Sequence, residues 1–201
     1  MKKVYLTALV LIAAALFALP STAQAIVLGD AGFDGGSIGV WYPYQVTSAV
    51  VSTPTHNASS WAANPALTGS NKFGMLLQDV ASQIAPGNLM SVSGWIKTVD
   101  SWNTAGFMRI EFLDDSFTST GAAVESAGIS ANTDWTQLTA TGTVPVGTTK
   151  VNVGFGLRNW TTDASVGNIY VDDATAVPEP TSMLLLGSGL IGLLGLARRK
   201  K

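Results

Sequence analysis

The stretch "TTKVNVGFGLR" (residues 148–158) decides how this chain must be read. Val151, Val153, Phe155 and Leu157 share one parity, and Asn152, Gly154, Gly156 and Arg158 share the other. A period of two gathers the four apolar side chains on one face of a β-strand, whereas a helix would scatter them. Just before it, "VPVGTT" (144–149) reads as a tight Pro-Gly turn, and "DWTQLTATGTV" (134–144) as the strand feeding that turn. Working outward, the same kind of run recurs in "QVTSAVV" (45–51), "KFGMLLQDV" (72–80), "NLMSVSGWIK" (88–97), "AGFMRIEFLD" (105–114), "TGAAVESAGIS" (120–130) and "VGNIYVDDATA" (166–176). Gly, Asn, Asp, Pro and Ser separate these runs. Regularly spaced short strands with turn residues between them predict an all-β antiparallel sandwich. Its expected core includes Phe112, Trp135, Val153 and Ile169, with Trp95 also inside.

The two ends are of another kind. Lys2 and Lys3 precede an apolar run, then Pro20 and "STAQA", in which Ala23 and Ala25 fit a small-residue cleavage site. This is the pattern of a secretory signal peptide over residues 1–25, which makes Ile26 the expected new N-terminus. At the far end, 17 uncharged and mostly apolar residues (181–197) lead to Arg198, Arg199, Lys200 and Lys201. As a helix they would reach about 26 Å, slightly short of a ~30 Å hydrocarbon core, with the cations held on the cytoplasmic side. Gly187, Gly189 and Gly192 spell a dinucleotide-binding fingerprint, but the chain stops nine residues later and has no room for that unit. The expected domains are therefore residues 1–25, a β-sandwich over 26–176, and a terminal signal over 177–201.

Without its ends the chain is acidic. Between residues 26 and 177 there are five cations against twelve anions, a net charge of −7. That balance argues against nucleic acid and anionic membrane surfaces as partners. There is no cysteine, so neither disulfides nor a thiol nucleophile are available.

The tripartite tail, Val177-Pro178-Glu179-Pro180 followed by a short apolar helix and a basic cluster, resembles the PEP-CTERM sorting signal. The resemblance implies an exosortase as partner. It also implies transient anchoring in the inner membrane of a Gram-negative-type bacterium, then release to the surface or the extracellular space. The two prolines keep the segment extended and accessible.

The middle of the chain is similar to the galactose-binding-like jelly rolls of carbohydrate-binding modules. The matching pieces, in order, are "LGDAGFDGG" (28–36), "SGWIKT" (93–98), "DWTQLTATGTVPVG" (134–147) and "GNIYVDDA" (167–174). The resemblance implies a calcium ion tying the first segment to the last strand. Asp34 would stand where the family carries Glu, Asp172 or Asp173 would come from the last strand, and carbonyls near Asp30 and Gly32 would complete the shell. On the residues alone, Asp34 reads equally well as a turn residue before Gly35, and the last pair as solvated.

Catalysis finds little support. His56, the one histidine, lies in the polar stretch "STPTHNASS" (52–60) and is expected to be solvated. Asp114 and Asp115 adjoin the end of a strand and mark a turn rather than a glycosidase pair. Trp102 and Trp160 lie in polar loops and are the candidates for stacking on sugar rings. They share one end of the sandwich if residues 120–130 form a strand, and fall at opposite ends if these form a loop. The expectation is a non-catalytic surface or matrix protein that binds polysaccharide. A purely structural or adhesive component is the alternative, and a glycan hydrolase a distant third.

Overall fold

The computed structural model describes residues 26–57, 59–68, 72–80, 85–161 and 167–179. The expected signal peptide, Pro180, the apolar helix and the basic end lie outside the described residues. Among the described residues there are nine strands: β1 (Tyr42–Tyr44), β2 (Val46–Val51), β3 (Ala62–Leu67), β4 (Phe73–Asp79), β5 (Leu89–Leu113), β6 (Val124–Glu125), β7 (Ile129–Thr143), β8 (Lys150–Asn159) and β9 (Asn168–Glu179). They form one antiparallel sheet in the order β1-β4-β8-β5-β9-β3-β2, with β6 and β7 also paired to β5. Among the described residues there is no helix.

β5 folds this sheet into two layers. Its first part pairs with β7, from Leu89↔Thr143 to Ile96↔Thr136, and its last part pairs with β8, from Thr104↔Asn159 to Leu113↔Lys150. Between them the β7 register slips three times and Asp100 takes a positive φ of 52°. Such irregularities bend a strand and raise its twist. The sequence runs 88–97 and 105–114, expected as two strands, are therefore one strand that crosses from layer to layer.

Glycines mark where the layers meet. A Cβ on Gly94, in the first part of β5, would lie 2.6 Å from the Phe155 ring of β8 and 3.0 Å from the Met108 sulfur. A Cβ on Gly74, in β4, would lie 2.6 Å from Val46 of β2. Val151, Val153, Phe155 and Leu157 are all buried, as the alternation requires, and so are Phe112 and Ile169. Phe155 packs against Trp41 and Phe33, with ring centroids 5.6 and 6.4 Å away.

Three expectations need correction. Trp135 and Trp95 are not core residues: both are half-buried on the outer face of their layer. In β7 the inward parity belongs to Leu138 and Ala140, and Trp135 is out of phase with both. The run 120–130 yields only the two-residue β6 and the first residues of β7. His56 is 7% exposed rather than solvated. The turn readings stand: Thr148 N–H donates to Pro145 C=O with Gly147 at φ 89°, and Asp114 accepts from the Ser116 and Thr118 N–H groups.

Candidate functional site

The outer face of β1, β4, β8 and the second part of β5 carries a groove of about 770 Å³. Strand register builds it row by row. Tyr42 lies across from Leu77, Leu77 from Gly154, and Gly154 from Arg109. Alongside run Tyr44, Met75, Gly156 and Phe107, and at one end Asp79, Asn152 and Glu111. The two glycines of β8 have a packing role. A Cβ on Gly156 would collide with the Phe107 ring, and one on Gly154 with the Leu76 backbone. Phe107, although outward by parity, is 2% exposed because it lies down over Gly156. Tyr42 and Tyr44, on the edge strand, remain 63% and 46% exposed.

Charge within the groove is ordered. Arg109 Nε bonds Glu111 at 2.8 Å, its Nη1 bonds Glu125, and its guanidinium lies 4.8 Å from the Phe73 ring centroid. Arg158 Nη2 bonds both oxygens of Glu125 at 2.9 Å. Aromatic faces flanked by fixed polar groups suit a ligand with apolar faces and hydroxyl edges.

The opposite layer carries a second cluster. His56 stacks on Trp95 with centroids 3.9 Å apart, and Trp135 approaches it edge-on at 5.7 Å. Its Nδ1 is 2.8 Å from Asp173 Oδ2, and its backbone N–H donates to Asp172 Oδ2 at 2.9 Å. Ser59 Oγ donates to the same oxygen at 2.6 Å, and the Asp173 N–H to Asp172 Oδ1 at 2.9 Å. Burial pushes the Asp172 carboxyl above its usual range, while the bonds from Ser59 and His56 pull it back. Ser59 thus serves Asp172 rather than the histidine, so no nucleophile–base pair forms here.

The first segment does meet the last strand. Ala174 N–H donates to Ala31 C=O at 3.0 Å, and Ile26 bridges to Ala176. Three carboxylate oxygens crowd Gly32: a Cβ there would lie 3.2 Å from Asp173 Oδ1, 3.3 Å from Asp34 Oδ2 and 3.6 Å from Asp172 Oδ1. Asp30 is turned elsewhere: its carboxylate accepts from Gly35 N–H, and its carbonyl from Phe33 N–H and Trp41 Nε1. Among the described residues, no group of three or more His, Asp or Glu side chains is arranged to hold a metal ion.

Trp102, expected in a loop, lies within β5; it and Trp160 are exposed, at 62% and 54%, and share one end of the sandwich. The Trp160 N–H donates to Asn103 C=O at 3.3 Å, an extension of the β5–β8 ladder past Thr104↔Asn159. The ladder, not the run 120–130, brings them together. The sequence reading missed the groove residues Tyr42, Tyr44, Phe73, Arg109 and Glu111. Their signal was available: Arg109 and Glu111 are charged residues on the outward parity of a strand with a fully apolar inward face.

Residues 176–201 match the PEP-CTERM protein-sorting motif. No curated protein matches the chain in sequence. Among solved structures, the fold is similar to the CBM22-2 xylan-binding domain of Paenibacillus barcinonensis Xyn10C. Identity is 20% and the TM-score 0.59, over 74% of this chain and 98% of that one. It is also similar to the C-terminal family 22 carbohydrate binding module of Clostridium thermocellum Xyn10B, at 16% identity and TM-score 0.57, over 73% and 91% of the two chains. A third similar structure is the enzymatically active domain of Bacteriophage CBA120 tailspike protein 4, at 16% identity and TM-score 0.60. That match covers 76% of this chain but only 21% of the tailspike chain. At these identities the likeness establishes the jelly-roll fold.

Proposed function

We propose that this chain is an exported, non-catalytic surface protein whose groove holds an extended glycan, and that an exosortase processes its C-terminal signal. The observation that carries the glycan reading is the groove itself. Exposed Tyr42 and Tyr44 and the Phe73 ring offer stacking faces, and Asp79, Asn152 and Glu111 offer hydroxyl partners along one rim. Similarity to xylan-binding domains supports the same ligand class. Its test is affinity electrophoresis of the full-length chain, in mild detergent, through gels containing neutral xylan. Retardation is expected, and a Tyr42→Ala, Tyr44→Ala variant should weaken it by about tenfold or more, as loss of exposed aromatic anchors does. Mobility unaffected by xylan and by other neutral plant and bacterial glycans would instead favour a structural or adhesive protein without a ligand.

The sorting half of the proposal has a structural consequence. Ala176 is 2% exposed and bridges to Ile26, whereas Val177 is 43% exposed. The signal therefore begins where β9 leaves the core. Released protein should retain Ala176 and lack the basic end. Mass spectrometry finding intact Lys201 in the released material, or a terminus before Ala176, would overturn this.

Calcium between Asp34 and Asp172 belongs to the same proposal, supported by the oxygens that crowd Gly32. Hard cations take six to eight oxygens, so backbone carbonyls of the first segment would complete the shell.

A further inference from the structure

We infer that the end of the groove beside Phe73 is a subsite for an anionic sugar residue, held by Lys72 and Arg158; this rests on the glycan reading of the groove. The domain has five cations, and three of them, Lys72, Arg109 and Arg158, line one recess of about 480 Å³ together with Phe73 and Asn159. That recess shares Phe73 and Arg109 with the groove, so a chain lying along the groove reaches it.

The three cations are not equivalent. Arg109 is committed to Glu111 and Glu125 and lies over Phe73, with a side chain 19% exposed. It shapes the recess. Arg158 is 49% exposed, and its bonds to Glu125 run from one terminal nitrogen, Nη2. A guanidinium has five donors in a fixed fork, so that face can still take an oxyanion. Lys72 is exposed, and among the described residues no ion pair engages it.

Placement joins these charges to rings. Arg158 is the cross-strand partner of Phe73, and the Asn159 N–H donates to the Lys72 carbonyl at 2.9 Å. Exposed Trp160 follows at once in the chain. A sugar ring in the recess therefore meets the Phe73 ring and two cations together. A domain of net charge −7 repels polyanions as a whole, so a local cation cluster is what a carboxylated or sulfated glycan requires of it.

The experiment compares three gels: polygalacturonate, dextran sulfate and neutral xylan, each run with the full-length chain in mild detergent at low and moderate salt. Polygalacturonate or dextran sulfate should retard the protein in a salt-sensitive way, and the two arms tell a carboxylate from a sulfate ester. Lys72→Gln, Arg158→Gln should lose about tenfold or more in that affinity, the scale of a charge-assisted hydrogen bond. Lys72→Gln alone, which leaves Glu125 paired and lies outside the groove lining, should lose a smaller factor in the same direction with xylan affinity within about twofold. Lys97→Gln, remote from the recess, should change nothing. Xylan binding through Tyr42 and Tyr44 without polyanion binding, or polyanion binding indifferent to Lys72 and Arg158, would overturn the subsite and leave the groove standing. No retardation by any of the three would overturn both.

Discussion

Phe155→Ala is expected to destabilise the domain by about 3–5 kcal/mol, the range for emptying a buried aromatic site. The side chain is 0% exposed and is the point where both layers meet. Phe33 and Trp41 pack on it from one side, and Gly94 lies against it from the other layer without room even for a Cβ. Gly94 has no side chain with which to fill the void. For a domain of this size the melting temperature should fall by roughly 6–20 °C. Val146→Ala, at an 89% exposed turn position, should change stability by less than about 0.5 kcal/mol. Thermal unfolding followed by circular dichroism measures both. A Phe155→Ala melting temperature within two degrees of the parent would mean that the two layers do not share this core.

Asp172→Ala should cost about 2–4 kcal/mol, although it removes an unfavourable buried charge. Three donors, the His56 and Asp173 N–H groups and the Ser59 hydroxyl, lose their acceptor in a site where Asp172 is 0% exposed. The effect should depend on pH. Burial raises the folded-state pKa of Asp172 above its unfolded value, so the folded chain holds that proton more tightly. Its pH-linked contribution is therefore fully present below the unfolded carboxylate value, about pH 4, and is lost as pH rises through the folded value. The gap between parent and variant in urea midpoint should narrow across that window. A gap that widens with pH would place the charged form as the favoured one.

The same variant reports on calcium. Between chelator and millimolar calcium the parent should gain a few degrees, about 0.4–1.4 kcal/mol for a weak extracellular-type site. Asp34→Ala, at an exposed position, and Asp172→Ala should both abolish that gain, whereas Asp114→Ala should keep it. An unmutated chain indifferent to calcium would leave these acids as partners of the 56–60 segment alone.

Local order was legible from residue pattern. The period of two in 148–158 placed Val151, Val153, Phe155 and Leu157 inside, because strand geometry sends alternate side chains to opposite faces whatever the rest of the chain does. Pro145-Val146-Gly147 was a turn for an equally local reason, since Gly147 needs a positive φ. Composition set the acidic domain apart from its apolar, basic ends, and the terminal motif was readable because order and spacing alone define it.

Tertiary structure decided everything that depends on what covers a face. Parity could have put Trp135 out of phase with Leu138 and Ala140, but not beside His56, which an acid 117 positions later holds in place. The groove is non-local in the same sense. Tyr42, Phe73, Arg109 and Asn152 become neighbours through register on three different strand pairs, and register between distant strands is set by the packing of the whole sandwich. β5 shows the limit most plainly: its two halves looked like separate strands because the polar run 100–104 between them reads as a loop, and only pairing with β7 and β8 carries the strand through the positive φ of Asp100.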